Sequence, residues 1–410
     1  MPPRRTTHLQ PGDLRATARL LSEATRGLAR LVEGVHAAVL TGMGLPLKQG
    51  RTRGITGLVY RSIEEVTGWV GRGTELALAQ WEALQDPATV LESPQRAAAL
   101  AALNGVLGDR LRAQGNPLAT TLTLLMDGRP LDLQQALPDA KPRLLLALHG
   151  LCMNELQWST QGCSVNHAQA LADAMDAHLV YVCYNSGLHI ADNGHQLAAA
   201  LHALQQRWPM PWERLVLLGH SMGGLVARSA VALSEQQSMP WRSALRQMVF
   251  LGTPHQGAPL ERAGHWLHAL LGRTPYSAPF AALARLRSAG ITDLRFGHVS
   301  DGPARESLGD GAQSHQTLQL PQGVDCYAVA ACLAARRSRL AERLLGDGLV
   351  PLRSALGQHD NAAQELSFGA AQQAIFYRTG HLELLASAAV QAQLLQWLAP
   401  ARSNKKAPGV

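Results

Sequence analysis

An apolar run, Leu215-Val216-Leu217-Leu218, leads straight into Gly219-His220-Ser221-Met222-Gly223-Gly224, and a helix-forming stretch follows. A G-x-S-x-G pentapeptide at a strand-to-helix junction is a nucleophile elbow, whose tight turn lifts the serine hydroxyl clear of the sheet edge. Gly219 and Gly223 suit the flanks of such a turn, where side chains would collide with the neighbouring strand and helix. The chemistry this predicts is attack by Ser221 on an acyl carbon. A serine hydroxyl needs a base to take its proton, a carboxylate to orient that base, and donors for the oxyanion.

In chains built around this elbow, the acid and then the base follow the nucleophile. His381 is the expected base, because Arg378-Thr379-Gly380-His381-Leu382-Glu383 follows the strand-like Ala374–Tyr377 and precedes the last helix. His359, in the polar loop Gln358-His359-Asp360, has no strand to deliver it. Asp347 is the expected acid, in Leu345-Gly346-Asp347-Gly348-Leu349-Val350-Pro351 after the Cys326–Ala331 run, with glycines that permit a tight loop. Asp325 precedes its strand, and Asp360 lies too close to His381 to belong to an earlier loop. Leu144–Leu148 runs into His149-Gly150-Leu151-Cys152, so the Leu151 and Met222 amides are the expected oxyanion donors. Loss of one such donor costs on the order of 3 kcal/mol. His149, Gly150, His220 and His255 are expected at the substrate pocket, with His149 alternatively bonding a loop carbonyl. Tyr184–His189 and Leu251–Gly257 border the same edge, and His189 and His255 fit loop-shaping roles better than the triad order. No H-E-x-x-H, metal-ligand spacing, G-x-G-x-x-G or P-loop occurs at a fitting junction, so neither metal nor cofactor is expected.

The elements that must position these residues are periodic. Leu144–Leu148, Leu179–Val182, Leu215–Leu218, Met248–Leu251, Cys326–Ala331 and Ala374–Tyr377 are short apolar runs, alternating with helical stretches at Asn166–Ala177, Gly194–Arg207, Gly223–Ser234 and Leu382–Leu398. Strands buried on both faces read this way, which predicts an α/β fold with a mostly parallel, doubly wound sheet. Thr120–Met126, Asp127-Gly128 and Arg129–Leu133 read as a hairpin ahead of it. Helical stripes are expected through Leu21–Ala38, through Ile55–Val70, and from Ser93-Pro94 through Leu111. The predicted organisation is an N-terminal helical region (1–116), a catalytic domain (117–400) with an insertion at about 258–320 near the active site, and a basic flexible tail (401–410).

Composition sets outer bounds. The 410 residues are 46% hydrophobic and 16% charged, an ordinary globular balance. Five scattered cysteines suggest neither a disulfide framework nor a zinc site. The charge of +7 concentrates in Arg402-Ser403-Asn404-Lys405-Lys406, which fits a solvated end or contact with an anionic membrane surface. No basic stripe with interleaved aromatics appears, so nucleic acid is not an expected partner. MPPRRTTHLQ has no apolar leader core and no run of about 18 apolar residues follows, so a cytoplasmic setting is expected.

Leu148-His149-Gly150-Leu151, the elbow, Gly252-Thr253-Pro254-His255-Gln256-Gly257-Ala258-Pro259, Gly346-Asp347-Gly348-Leu349-Val350-Pro351 and Gly380-His381-Leu382 together resemble the lipase-like α/β-hydrolases. Among these the chain is most similar to bacterial esterases or lipases whose domain resembles that of the GPI inositol-deacylases. The resemblance covers roughly residues 140–400. It implies an α/β-hydrolase fold, a carboxylic, lipid-like ester substrate, no cofactor, and Ser221, Asp347 and His381 as the triad. The deacylases are membrane-embedded and this chain shows no spanning stretch, so a substrate other than a GPI anchor is expected. The same triad also serves thioesterases, amidases and polyester depolymerases, and the fold alone can serve as a binding module.

Overall fold

The computed structural model describes residues 94–132, 139–159, 165–258, 288–300, 318–335 and 346–399, with short pieces before residue 94. Most of the expected helices at 21–38 and 55–70, most of the insertion and the basic tail lie outside the described residues.

The chain forms two compact units. One comprises Met1–Ala97 with Leu111–Ala119, and the other Ala98–Arg110 with Thr120–Val410. The division between the units runs through a helix, α1 (Pro94–Ala113). In the smaller unit the described contacts join segments far apart in sequence. Thr6–Thr7 pairs in parallel with Leu91–Glu92, Arg96 forks onto the Asp13 carboxylate, and Asn116 donates to the Ala16 carbonyl.

The larger unit is built on one eight-stranded sheet. Its strands are β1 (Thr123–Met126), β2 (Arg129–Pro130), β3 (Arg143–Leu148), β4 (His178–Cys183), β5 (Arg214–His220), β6 (Leu245–Leu251), β7 (Asp325–Cys332) and β8 (Gln373–Tyr377). The order across the sheet is β2-β1-β4-β3-β5-β6-β7-β8. Six strands from β4 to β8 run parallel, and β1 joins β4 antiparallel. The hairpin forms at Asp127-Gly128 as expected, but its second strand stops at Pro130, which lacks an N–H for the ladder.

The central strands are apolar on both faces because helices cover both. Leu144, Leu145, Leu146 and Leu148 of β3 are wholly buried, each worth about 2 kcal/mol of burial. On one face, Leu145, Val216, Val249 and Val329 meet Leu171 and Met175 of α2 (His167–Met175) and Val390, Leu394 and Leu398 of the last helix, Ala388–Leu398. On the other, α3 (Ile190–Arg207) packs beside α4 (Met222–Gln236), which crosses β3, β5 and β6. Gly194 permits that approach, since a Cβ there would overlap Ser229 of α4. The expected helix at Leu382–Leu398 is broken into a single turn, Glu383–Leu385, and the helix from Ala388, whose Val390 amide is capped by the Ser387 hydroxyl. Of the insertion, α5 (Ala289–Phe296) is described. Among the described residues no helix is long and apolar enough to cross a membrane.

Candidate active site

The parallel topology sends the ends of β3, β5, β6, β7 and β8 to one edge, where ligands bind in such sheets. β5 ends at His220 and α4 starts at Met222, leaving Ser221 alone to make the turn. Its φ of 53° and ψ of −122° lie where a non-glycine residue is strained by roughly 1–3 kcal/mol. Two hydrogen bonds hold it: Ser221 N–H donates to the Leu251 carbonyl at 2.8 Å, and Gly224 N–H donates to the Ser221 carbonyl at 3.1 Å. The flanking glycines are sterically required. A Cβ at Gly219 would sit 2.5 Å from Gly224 Cα, and one at Gly223 would sit 2.5 Å from the Leu148 carbonyl oxygen.

Asp347 and His381 arrive from the loops after β7 and β8. His381 Nδ1 donates to Asp347 Oδ2 at 2.6 Å, with both side chains almost fully buried. The other carboxylate oxygen accepts the Leu349 and Val350 amides at 2.9 and 2.7 Å. The His381 N–H donates to the Asp347 carbonyl at 3.1 Å, so backbone and side chain pair in parallel. His381 Nε2 has no hydrogen-bond partner among the described residues, and no bond joins it to Ser221 Oγ. Bonds of this kind often tighten only when substrate is bound. A Cβ at Gly252 would lie 3.1 Å from His381 Cε1, which places the ring beside the end of β6, next to the elbow strand.

The loop after β3 lies against Ser221, for a Cβ at Gly150 would stand 3.2 Å from Ser221 Cβ. The Met222 amide is the first of α4 and has no acceptor a turn back within that helix. The Leu151 amide has no partner among the described residues. The loop is braced from behind by side chains whose part no local pattern announces. Tyr184 donates its hydroxyl to the His149 carbonyl at 2.6 Å, and Cys152 N–H donates to Ser186 Oγ at 3.0 Å. Glycines of α1 meet the same loops: a Cβ at Gly105 would overlap Cys152, and one at Gly108 would overlap Asn185.

Three histidines expected at the pocket are turned elsewhere. His149 donates from Nδ1 to the Gly150 carbonyl, accepts the Tyr184 amide at Nε2 and stacks on the Tyr184 ring. Both its nitrogens are spent on backbone, and burial, partly offset by the bond to Gly150, brings its pKa down to about 4. His220 is wholly buried and donates from Nε2 to the His381 carbonyl. His255 packs between Phe250 and Phe368 and faces the Arg228 guanidinium, which also donates to the Leu318 carbonyl. Burial, then the Arg228 charge, holds its pKa well below the usual value. His189 pairs with Asp293 of α5 at 2.9 Å, while Gly290 of that helix lies against Met222, where a Cβ would come 2.9 Å from its Cε. Among the described residues no three His, Cys, Asp or Glu side chains are grouped to hold a metal ion.

Residues 144–278 match the family model of the PGAP1-like alpha/beta domain. No curated protein sequence matches the chain. Among solved structures, the chain is similar to the mature Bacillus licheniformis lipase BlEst2, at 17% identity and TM-score 0.39 over 68% of this chain and 98% of that one. It is also similar to Aspergillus fumigatus lipase B, at 14% identity and TM-score 0.35 over 63% and 55%. A third is the RedJ thioesterase of the Streptomyces coelicolor prodiginine pathway, at 16% identity and TM-score 0.36 over 67% and 91%. Residues 144–278 are thus similar to a PGAP1-like alpha/beta domain, set on a mostly parallel sheet with a serine elbow at its edge.

Proposed function

We propose that this chain hydrolyses carboxylic, lipid-like esters through Ser221, His381 and Asp347. One observation carries the reading: the buried 2.6 Å pairing of His381 Nδ1 with Asp347 Oδ2, at the sheet edge where Ser221 sits on its strained turn. Ser221 Oγ attacks the ester carbonyl while His381 Nε2 takes its proton. The carbonyl oxygen gains negative charge between the Leu151 and Met222 amides. Collapse of the adduct breaks the ester C–O bond, and His381 returns its proton to the departing alcohol. Water, deprotonated by His381, then attacks the acyl-enzyme and releases the acid and the serine. Asp347 holds the imidazole in the Nδ1–H form throughout and stabilises the imidazolium.

The test is labelling by a fluorophosphonate probe, together with hydrolysis of p-nitrophenyl esters from short to long chains. The parent protein is expected to label and to hydrolyse, and Ser221→Ala to do neither. Persistent labelling of Ser221→Ala overturns the nucleophile. Hydrolysis of acyl thioesters in clear preference to the oxyesters overturns the substrate class and makes the protein a thioesterase.

A further inference from the structure

We infer that His220 is a positioning residue that ties the base to the nucleophile, an inference that rests on the reading of Ser221 and His381 above. His220 precedes Ser221 in the chain, so its backbone belongs to the elbow. Its side chain reaches in the other direction. The Nε2–H donates to the His381 carbonyl at 3.2 Å, and the two rings lie 4.7 Å apart, tilted by 47°. One side chain thus joins the peptide that carries the nucleophile to the peptide that carries the base.

The alternatives for His220 are closed by geometry. Its side chain is wholly buried and turned toward the His381 peptide. Its Nε2 is committed to a carbonyl, which cannot donate, so this nitrogen carries the hydrogen and is not free to accept one. Its Nδ1 has no partner among the described residues, and a Cβ at Gly150 would stand only 3.1 Å away, so Nδ1 looks onto the oxyanion loop. The elbow motif leaves the position before the serine open in residue type. In this chain the residue there supplies a donor at the length needed to reach the base loop.

The His381 loop has other bonds too, among them Thr379 N–H to the Cys332 carbonyl and Arg378 N–H to the Ala334 carbonyl, which tie it to β7 and the residues after it. The His381 amide donates to the Asp347 carbonyl, Gly380 N–H donates to Glu383 Oε2, and His167 Nε2 donates to the Leu384 carbonyl at 2.7 Å. None of these ties His381 to the elbow. Without the His220 donor, the loop keeps its bonds to Asp347 and β7 and its packing at Gly252, but loses the direct hydrogen bond from the elbow peptide to His381. Small misplacements of reacting groups are costly, with about 1 Å able to lower the rate about a hundredfold.

The experiment compares His220→Phe, which keeps a ring without the donor, with His220→Gln, which keeps an N–H donor. Readouts are kcat and KM for p-nitrophenyl butyrate, the pH profile of kcat, the rate of fluorophosphonate inactivation, and the thermal midpoint. His220→Phe is expected to lower kcat and the inactivation rate by about 10- to 100-fold. KM is expected to stay within about threefold, and His220→Gln to recover most of both rates. A second donorless variant, His220→Met, serves if the Phe variant does not fold. Parent-like kcat in a folded donorless variant overturns the inference, as does a rise in KM alone, which would mark a substrate contact. Equal losses in the Gln and Phe variants that follow the thermal midpoint also overturn it, leaving only a structural role. Ser221→Ala and His381→Ala separate the two levels: if they are inactive while His220→Phe is parent-like, only the positioning role fails. If both of those variants remain active, the underlying reading fails.

Discussion

Asp347 uses its whole carboxylate. Oδ2 takes the His381 Nδ1–H, and Oδ1 takes the Leu349 and Val350 amides. Asn in its place can keep both amide bonds with its oxygen and offer an N–H to His381 Nδ1, so every group stays paired. The imidazole then carries its hydrogen on Nε2 and presents a donor to Ser221 instead of a lone pair. Asp347→Asn is therefore expected to fold with a near-parental thermal midpoint while kcat falls by about 10³- to 10⁴-fold. Steady-state rates beside a melting curve check this, and a loss of less than about tenfold would remove Asp347 from its proposed role. The residues of this constellation were legible because an elbow is a local constraint. Two glycines that must lack side chains and a fixed order of acid and base leave few candidates. The histidines around it were not. Whether a ring near a site faces a pocket or a carbonyl depends on partners far along the chain. His149 is completed by Tyr184, 35 residues away, and His220 by His381, 161 residues away.

At the scale of elements, period alone identified the strands, because leucine and valine runs buried on both faces look the same wherever helices flank a sheet. It also identified α1, but not what α1 touches. Glycine weakens a helix by propensity, whereas Gly105 and Gly108 are contact points. A Cβ at Gly105 would lie 2.9 Å from Cys152 Cα and 3.0 Å from Cys152 N, and Asn185 donates to the Gly108 carbonyl. Ser288 donates to the Gly105 carbonyl, and the Asp109 carboxylate accepts the Ala289 amide at the start of α5. The middle of α1 is thus a wall for the loops after β3 and β4 and for α5. In an exposed helix, glycine to alanine gains about 1 kcal/mol. At Gly105 the sign reverses, since the neighbour is backbone. Gly105→Ala is expected to destabilise by about 1–3 kcal/mol. It should also lower kcat, because Cys152 follows the proposed oxyanion donor Leu151. Urea midpoints and p-nitrophenyl ester rates report both effects. A stabilised, fully active variant would show that α1 does not press on this loop.

At the scale of the larger unit, several buried imidazoles share one electrostatic property. His149, His167, His220 and His255 are all buried, and burial is the largest cause of a lowered pKa in each. His220 is lowered further by His381 beside it, and His255 by Arg228, whose own pKa burial brings to about 10, still protonated at neutral pH. These imidazoles fold neutral, His149, His167 and His220 bonded to backbone and His255 to the Arg228 guanidinium, so acid opposes the fold. In the unfolded chain they take up protons near pH 6.5, whereas in the folded chain His149 does so only near 4. Between those values the unfolded state binds more protons, so stability rises with pH across the window and falls on acidification through it. His149 alone accounts for about 3 kcal/mol between pH 6.5 and 4, and the other three add in the same direction. Urea unfolding followed from pH 8 to pH 5 is expected to give a level stability above about pH 7 and a steepening loss below about 6.5. A curve that stays flat or rises toward pH 5 would mean that these histidines accept protons in the folded state, and that the backbone ties drawn here from His149 Nε2 and His220 Nε2 are not what hold the loops around Ser221.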